Sequence, residues 1–363
     1  MRYATNYDIG ERKRESGINE DSIALTVFEQ GHREGYRGQR IAVDPTERDG
    51  DGDGRDRPAN RGAAGFVLAD GAGGHDAGDV ASYIATTVVC EQLANVVVRA
   101  ARADPDPFDV DVERTPEVPD EADLRGAIED AIVAAHQAIV ANAAETGVGA
   151  YTTVVAGIVV EGRLHYGWVG DSRAYLVNCA QSDIARLTRD HSVVEELHRE
   201  GELDDAEAHV HPRGNEITRA LGGTGTENPE TASVAVETES VDVYAEDILL
   251  VTSDGLIDAQ TDAPHLHEEY VESDRSEDVA ERIREAVVTD AEIRDTVLDA
   301  ESLDDAAASL VELSNDRGGK DNLSALLLRD GAFPATPEDA EVRFRDVDET
   351  RPVEDRETVI VDE

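Results

Sequence analysis

Lysine is nearly absent from this 363-residue chain, and aromatic residues make up only 4% of it. Lys13 and Lys320 are the only lysines, and Asp plus Glu outnumber Lys plus Arg by 81 to 33, which gives a formal net charge of -48. So negative a chain repels polyanions, which argues against nucleic acid as a partner. Salt of about 1 M shortens the Debye length to about 3 Å and screens this self-repulsion, so we interpret the acidity as adaptation to a salty cytoplasm.

Cysteine is also scarce, because Cys90 and Cys179 are the only two. Two cysteines in a chain of this length do not build a disulfide scaffold, so we expect a reducing compartment. The opening stretch MRYATNYDIGERKRES has no apolar centre and does not resemble a signal peptide. The longest apolar runs, such as VVAGIVV, are too short to span a bilayer. We therefore expect a cytoplasmic protein with no membrane partner.

Strand-like runs recur along the chain, at residues 21–28, 65–70, 152–160, 163–171, 173–178, 247–254 and 322–330. The pair Glu161-Gly162 separates two of these runs, as in a two-residue hairpin. Apolar residues at helical spacing occur within 80–88, 124–139, 279–287 and 306–313. The last of these patterns has a start signal at Ser302 and ends before Gly318. Hairpins without regular βαβ alternation predict an α+β protein with antiparallel sheets and helices packed outside them.

Three segments look like insertions or appendages: about 30–61, about 103–120, and an acidic tail over 331–363. We expect the tail to be flexible, with ETVIVDE as a candidate edge strand. The first insertion contains DGDGDG, which matches the opening of an EF-hand calcium loop. The twelfth loop position, however, is Asn60 instead of a bidentate Glu. A solvated acidic loop is the better interpretation, and a calcium-responsive binding protein is the weakest of our hypotheses.

Carboxylates stand at the ends of five predicted strands. Three strands end at Asp70, Asp171 and Asp254, whereas Glu20-Asp21 and Asp321 precede two others. In an antiparallel sheet the end of one strand lies beside the start of its neighbour, so these carboxylates can converge on one rim. Clustered carboxylates repel each other unless a counter-charge is present. One Asp-Gly pair at a strand end is an ordinary turn, but five such acidic ends together predict a cation site.

The ligands available at this rim are oxygens, and no histidine or cysteine pair has zinc-binding spacing. This favours Mn²⁺ or Mg²⁺ over Zn²⁺. Two such ions about 3.5–4 Å apart bind a bridging water and direct it at a phosphorus atom. Gly71 lets the backbone approach an ion closely and offers its carbonyl as a ligand.

Seven motifs in this order resemble the metal-dependent serine/threonine protein phosphatases of the PPM (type 2C) family. They are INEDS, ADGAGGHDAGDVAS, GWVGDSRAYL, LTRDHSVVEELHREGEL, HPRGNEITRALGG, LLVTSDGLID and GGKDNLSALLL. The resemblance implies a catalytic domain over residues 1–330. It also implies a four-layer αββα sandwich, in which helix pairs flank two central antiparallel β-sheets.

The resemblance also implies roles for individual residues. Asp70 bridges two metal ions, and Asp254 and Asp321 complete one of the two metal sites. Glu20 serves the other site, Asp21 lies in the outer shell, and the Gly71 carbonyl binds one ion. Asp171 helps to hold a third, weaker ion, and Asn322 orients water or substrate. The reaction implied is hydrolysis of phosphoserine and phosphothreonine in proteins by a hydroxide that bridges two Mn²⁺ or Mg²⁺ ions.

The chain departs from the family pattern at Tyr151, where the family usually has glycine, and at two places that concern the chemistry. The family uses an arginine shortly before NED to bind the substrate phosphate. Here GERKRESGINED has an apparent insertion before NED. Either Arg14 or Arg12 therefore takes the phosphate-binding role, and we favour Arg14. Eukaryotic relatives carry a histidine where this chain has Ala72, which leaves the general acid unassigned. His191 and His211 match family positions, and we interpret them as structural residues of a flap between Leu187 and Leu221.

The favoured hypothesis is therefore an active phosphatase whose partners are phosphorylated proteins and a cognate serine/threonine kinase. The alternative is a catalytically weak module that binds phosphoproteins on the same fold. Loss of metal ligands would favour the alternative, and none is lost in this sequence.

Overall fold

The computed structural model describes residues 1–14, 17–28, 62–72, 77–101, 118–260, 262–338 and 360–361. Several predictions lie outside these residues: the insertion at about 30–61 with its DGDGDG motif, nearly all of the insertion at about 103–120, and most of the acidic tail.

Fourteen strands are present in the described residues. They are β1 (Arg2–Asp8), β2 (Asp21–Phe28), β3 (Ala63–Ala72), β4 (Ala150–Thr152), β5 (Val154–Val160), β6 (Arg163–Val169), β7 (Arg173–Asn178), β8 (Asp183–Arg186), β9 (Glu216–Ile217), β10 (Leu221–Gly223), β11 (Glu237–Asp242), β12 (Asp247–Thr252), β13 (Leu323–Arg329) and β14 (Ile360–Val361).

Eight α-helices are present in the same part of the chain. They are α1 (Gly78–Ala100), α2 (Glu121–Thr146), α3 (Val193–Arg199), α4 (Asp205–Val210), α5 (Ala263–Glu272), α6 (Glu277–Ala286), α7 (Asp290–Asp299) and α8 (Leu303–Arg317). The Ser302 hydroxyl accepts the N–H of Asp305 at 3.1 Å, which confirms the predicted start of α8.

Two antiparallel sheets form the centre of the fold. One has the strand order β1-β13-β12-β7-β8, and the other has the order β10-β4-β3-β5-β6-β11 with β2 paired to β3. The predicted hairpin joins β5 to β6 through Glu161-Gly162, and both residues have the positive φ angles of such a turn (55° and 78°). The predicted run over 152–160 is split at Thr153, whose N–H donates to the carbonyl of Asp70 at 2.8 Å.

Three apolar layers hold the sandwich together. Phe66, Trp168 and Leu326 belong to the core between the two sheets, and all three are buried. α1 and α2 pack on the outer face of the seven-stranded sheet, whereas α7 and α8 pack on the five-stranded sheet. The alternation of strand side chains between these layers follows from the two-residue period of a β-strand. The predicted α+β sandwich, with a helix pair on each face, is confirmed.

A smaller group of helices has an apolar cluster separate from those of the sandwich. α4, α5 and α6 share their own apolar cluster, which includes Val210, Leu266 and Ile283. Arg275 donates to the buried Glu207 carboxylate at 2.7 Å, which fastens the loop between α5 and α6 to α4. The segment predicted as a flap is thus anchored on helices that the sequence patterns identified only in part.

α1 is long and apolar enough, by length and composition alone, to cross a membrane. Its side chains Ala81, Ala85, Val89 and Leu93 are buried against β3 and α2 in this fold. The core helix of a globular domain meets the same test, and we interpret α1 in that way.

Candidate metal centre

The pairing of β2 with β3 brings two of the predicted carboxylates together. Asp21, the first residue of β2, lies directly opposite Asp70 near the end of β3. The N–H of Gly71 donates to the carbonyl of Glu20 at 3.2 Å, which continues the ladder by one step. The Asp70 backbone is held from its other side, since the Thr152 hydroxyl donates to its carbonyl at 2.7 Å. This edge of the seven-stranded sheet therefore presents Glu20, Asp21 and Asp70 side by side.

The five-stranded sheet supplies Asp254 and Asp321 at its facing edge. Asp254 begins a 3₁₀ turn just after β12, and Asp321 precedes β13, to which β12 is paired. Ser253 links the two sheets, because its hydroxyl donates to Asp21 Oδ2 at 2.8 Å and accepts the N–H of Ser324 at 3.0 Å. Strands from both sheets thus meet at one rim, as the acidic strand ends predicted.

Asn322 joins three segments that are distant in sequence. Its side-chain oxygen accepts the N–H of Glu20 at 2.9 Å, and its side-chain nitrogen donates to the carbonyl of Ile9 at 2.9 Å. Its own N–H donates to Asp321 Oδ1 at 2.6 Å. Asn322 is buried and has its side-chain oxygen and nitrogen engaged, so in this geometry it positions Glu20 and Asp321. Its predicted role in orienting water or substrate stays a prediction.

Glycine is required where backbones approach each other closely at this rim. A Cβ on Gly71 would lie 2.2 Å from the carbonyl oxygen of Gly78 and 2.9 Å from that of Glu20. A Cβ on Gly78 would lie 2.5 Å from Glu20 Oε1. Any larger residue at position 71 or 78 would displace Glu20 from its place beside Asp70.

Burial and mutual repulsion disturb the protonation of the central carboxyl groups. Burial raises the pKa of Asp70 well above its ordinary value, and the neighbouring charges of Asp21, Asp254 and Asp321 raise it further. Burial likewise raises the pKa of Asp254 well above its ordinary value, with added repulsion from Asp171 and Asp321. Such neighbours can share the rim as anions only if positive charge is added.

The pKa values of two flanking carboxyl groups, Asp21 and Asp171, are also raised, but by less. Burial raises the pKa of Asp21 to about 6, although the hydrogen bond from Ser253 opposes the shift. Burial, with the nearby charges of Asp190 and Asp258, raises the pKa of Asp171 to about 7. Four of the predicted ligands therefore belong to one electrostatically coupled cluster.

The donor set of this cluster suits a hard divalent cation. Asp21 Oδ1 is buried and has no hydrogen-bond partner, so it is an oxygen that a cation would satisfy. The carboxylates do not yet converge on one point: among the described residues, no three Asp, Glu, His or Cys side chains are placed to hold a single ion. Instead Asp70 lies close to Asp21 and Asp254, whose charges raise its pKa. The residues fit an oxygen-ligated ion once their side chains turn towards it.

Lys13 is a cation that lies against the Asp321 side of this cluster, and we did not single it out from the sequence as a site residue. Its Nζ donates to Asp321 Oδ1. Burial alone lowers the pKa of Lys13, but the charges of Asp321, Asp70 and Glu20 outweigh that effect and the net shift is upward. The spacing in GERKRES gave no signal that favoured Lys13 over its arginine neighbours.

Arg14 lies apart from the carboxylate cluster. Its guanidinium group pairs with Glu11 at 2.6 Å and with Asp8 at 3.2 Å, and its side chain is 48% exposed. The backbone N–H of Arg12 donates to the carbonyl of Gly319 at 3.1 Å, which ties this turn to the segment before Asp321. A phosphate-binding role for either arginine stays a prediction.

Asp258 is a member of the cluster that sequence reasoning missed. It follows Asp254 by four residues, and its N–H donates to the Asp254 carbonyl at 2.8 Å. Its charge raises the pKa of both Asp171 and Asp254, so its carboxylate is close to each of them. The spacing of the two acids in SDGLID, one helical turn apart, was the signal available in the sequence.

A cavity of about 490 Å³ opens beside the cluster. Asp171, Asp254 and Asp258 line it on the side of the sandwich, whereas His198 and His209 line it from the flap. Its volume and position would admit a side chain of a peptide bound across the rim.

His191 lies in the interior, where it anchors the flap to the sheet. Its Nδ1 accepts the N–H of Gly170 at 3.0 Å, and its Nε2 is 3.0 Å from Glu237 Oε1. Burial lowers the pKa of His191, and its ring stacks on the indole of Trp168. This environment agrees with a structural histidine. His211 is more exposed and contacts the ring of His267 edge-on.

The chain is similar to known proteins over most of its length. The sequence profile of the family described as Protein phosphatase 2C matches residues 56–288. A curated relative, the serine/threonine phosphatase stp of Listeria innocua, is 30% identical over 263 residues, which is 72% of this chain and 82% of the relative.

Solved structures give the same result for the fold. The serine/threonine phosphatase PstP/Ppp of Mycobacterium tuberculosis is 25% identical, with a TM-score of 0.56 over 91% of this chain and 99% of the other. The catalytic domain of a serine/threonine protein phosphatase PstP, solved in complex with two manganese ions, is 24% identical. Its TM-score is 0.54 over 90% of this chain and 96% of the other.

Proposed function

Because this chain belongs to the protein phosphatase 2C family and is a serine/threonine phosphatase, we propose that it hydrolyses phosphoserine and phosphothreonine in proteins at the carboxylate rim around Asp70. One observation supports this choice of site above all others. Asp70 and Asp254, from different sheets, are half-buried at the same rim. Burial raises both pKa values; the charge of Asp254 raises that of Asp70 further, and the charges of Asp171 and Asp321 raise that of Asp254 further. Such an arrangement is costly unless it serves to bind cations.

We propose that two divalent ions, Mn²⁺ or Mg²⁺, bind at this rim. Asp70 lies between the acidic groups of both sheets and is the best placed to bridge two ions. The group on one side is Asp254 with Asp321, and the group on the other is Glu20 with Asp21 in support. The Gly71 carbonyl is a further oxygen ligand. The manganese ions of the PstP structure named above support the choice of metal by analogy.

A third ion site is proposed at Asp171. Its carboxylate is near Asp254 and Asp258, and all three acidic residues line the cavity. When bound, such divalent ions supply the Lewis acidity that activates water and neutralises phosphate charge. The protein's own contribution is to fix these carboxylates through Ser253 and Asn322, whose hydrogen bonds join the two sheets.

The substrate phosphate needs positive charge from the protein side of the rim. We propose Arg14, or Arg12 next to it, for that contact, because a guanidinium fork matches phosphate geometry. Arg14 would have to leave its exposed pairs with Asp8 and Glu11, which are weak in molar salt. Ala72 carries no proton to donate, so the proton for the leaving oxygen comes from another group.

The experiment is release of phosphate from a phosphothreonine peptide by the full chain in molar KCl with Mn²⁺. Asp254→Asn removes a central carboxylate and is expected to lower kcat at least about a hundredfold. Asp278→Asn makes the same chemical change on the exposed surface of α6 and is the matched control, with activity expected to be unchanged. Chelation of divalent ions should abolish turnover.

Two results would reject this proposal. Turnover that survives both chelation and Asp254→Asn would place the chemistry elsewhere. Tight binding of the phosphopeptide without turnover in the wild-type protein would favour the alternative, a module that binds phosphoproteins for regulation.

Two further proposals concern the setting of the enzyme. A phosphatase requires a kinase that forms its substrate, so we propose a serine/threonine kinase as its functional partner. We also propose a cytoplasmic location at high salt. Comparison of phosphorylated proteins between cells with and without this chain, after fractionation, would test both proposals.

A further inference from the structure

Both lysines of this chain border the candidate metal centre. Arginine supplies almost all of the positive charge elsewhere, yet Lys13 contacts Asp321 and Lys320 immediately precedes it. The two lysines differ in what they bind. Lys13 Nζ donates to the carboxylate of Asp321, whereas Lys320 Nζ donates to the side-chain oxygen of Asn215 at 2.9 Å. This difference makes Lys320 a natural control for Lys13.

The turn that carries Lys13 is fixed against the segment that carries Asp321. The N–H of Lys13 donates to the carbonyl of Gly10 at 3.1 Å, and that of Arg12 donates to the carbonyl of Gly319 at 3.1 Å. A Cβ on Gly10 would lie only 2.3 Å from the carbonyl oxygen of Asp321. Tightly packed backbone therefore positions the ammonium group of Lys13 against the carboxylate of Asp321.

The carboxylate that Lys13 contacts, Asp321, is also a proposed ligand of a divalent ion. Asp321 Oδ1 accepts from Lys13 Nζ and from the N–H of Asn322, so its lone pairs are already engaged. The side chains of Lys13 and Asp321 are 34% and 29% exposed, which leaves solvent a route to the pair. The charges of Asp70 and Glu20 also act on Lys13.

Lysine suits this position for a physical reason. An ammonium group is a compact point charge on a flexible stem, whereas a guanidinium group is a broad planar fork. A compact charge can enter a narrow space between carboxylates and withdraw when a stronger cation arrives.

We propose that Lys13 is a competing internal cation that sets the affinity of the centre for divalent ions: it neutralises Asp321 and its neighbours until a divalent ion binds, and then turns away. This inference rests on the proposed function in taking Asp321 as a metal ligand. It makes Lys13 a positioning residue of the acidic cluster, with an effect on metal affinity that is separate from catalysis.

The test measures Mn²⁺ binding by calorimetry, with full-length protein freed of metal by chelation and dialysed into molar KCl. Lys13→Met is expected to lower the Mn²⁺ dissociation constant about fivefold, the scale set by loss of a partly exposed ion pair. Lys320→Met removes the same charge one residue from Asp321 and is expected to change the constant less than about twofold. Lys13→Gln, which keeps a polar side chain, provides a second measurement should Lys13→Met fold poorly.

Thermal unfolding gives a readout that does not depend on activity. In chelator, Lys13→Met should melt below both the wild type and Lys320→Met, because its carboxylates then lack a counter-charge. Saturating Mn²⁺ should remove that difference. An unchanged or weakened Mn²⁺ affinity in both Lys13 variants would overturn the inference alone. Failure of the wild-type protein to bind Mn²⁺ would overturn the proposed metal-dependent function as well.

Discussion

Replacing Asp171 with asparagine should stabilise the metal-free protein at alkaline pH. Asp171 lines the cavity, and burial together with the charges of Asp190 and Asp258 raises its pKa from 3.8 to about 7. The native protein therefore binds this proton more tightly than the unfolded chain does. Stability that depends on the proton is present below about pH 4 and is lost as the pH rises through about 7.

The magnitude follows from the size of the shift. Each pKa unit corresponds to about 1.4 kcal/mol, so ionising Asp171 costs the native state about 4 kcal/mol at about pH 8. An asparagine side chain carries no charge and would avoid this cost. We expect the free energy of unfolding of Asp171→Asn to exceed that of the wild type by up to about 4 kcal/mol at about pH 8. The two proteins should converge at about pH 4.

The assay is urea unfolding in molar KCl with chelator, across a pH series. Trp168 is the single tryptophan and is buried, so its fluorescence reports loss of the core between the sheets. Asp278→Asn on the surface of α6 is the control and should follow the wild type at every pH. A constant difference between Asp171→Asn and the wild type, or none at about pH 8, would refute the enclosure of this carboxylate.

Three further predictions concern the glycine contact, the net charge and the phosphate contact. Gly71→Ala should destabilise the protein by at least about 2 kcal/mol and reduce activity, because the new Cβ would lie 2.2 Å from the Gly78 carbonyl oxygen. Urea unfolding and phosphopeptide turnover measure the two effects, and wild-type values in both would contradict the prediction. The melting temperature should rise steeply as KCl increases towards about 1 M, because a net charge of -48 is screened; a flat melting curve across that range would contradict the halophilic interpretation. Arg14→Ala should raise KM for a phosphopeptide with little effect on stability, since Arg14 makes only exposed pairs; if Arg12→Ala has that effect instead, the phosphate contact belongs to Arg12.

Much of the fold could be predicted because its strands carry strong local patterns. The strands over 21–28 and 173–178 were predicted at their observed bounds, since they are apolar runs flanked by polar residues. β1 and β11 were missed because they lie at sheet edges and read as polar segments, RYATNYD and ETESVD. Only their backbone pairing to β13 and β6 makes them strands. Ile360–Val361 pairs with β9, which agrees with the expected edge strand in ETVIVDE.

The flap was difficult to predict for a different reason. α3 and α4 have seven and six residues, too few to show a helical period. α4 is stabilised by contacts with distant segments, such as the pair that Glu207 forms with Arg275 in the loop between α5 and α6. Such contacts leave no mark in the local sequence.

The sequence by itself determined that acidic residues stand at the ends of antiparallel strands, and that rule brings Asp21 beside Asp70 in one sheet and Asp254 near Asp321 in the other. The packing of one sheet on the other brings these two groups to a shared rim. The sequence also determined the family, because seven motifs occur in the same order. Only the tertiary structure decided that Lys13 and not Arg14 contacts the rim, and that Asp258 joins it. The physical reason is that strand pairing follows from local patterns, whereas side-chain contacts depend on how loops pack against segments hundreds of residues away.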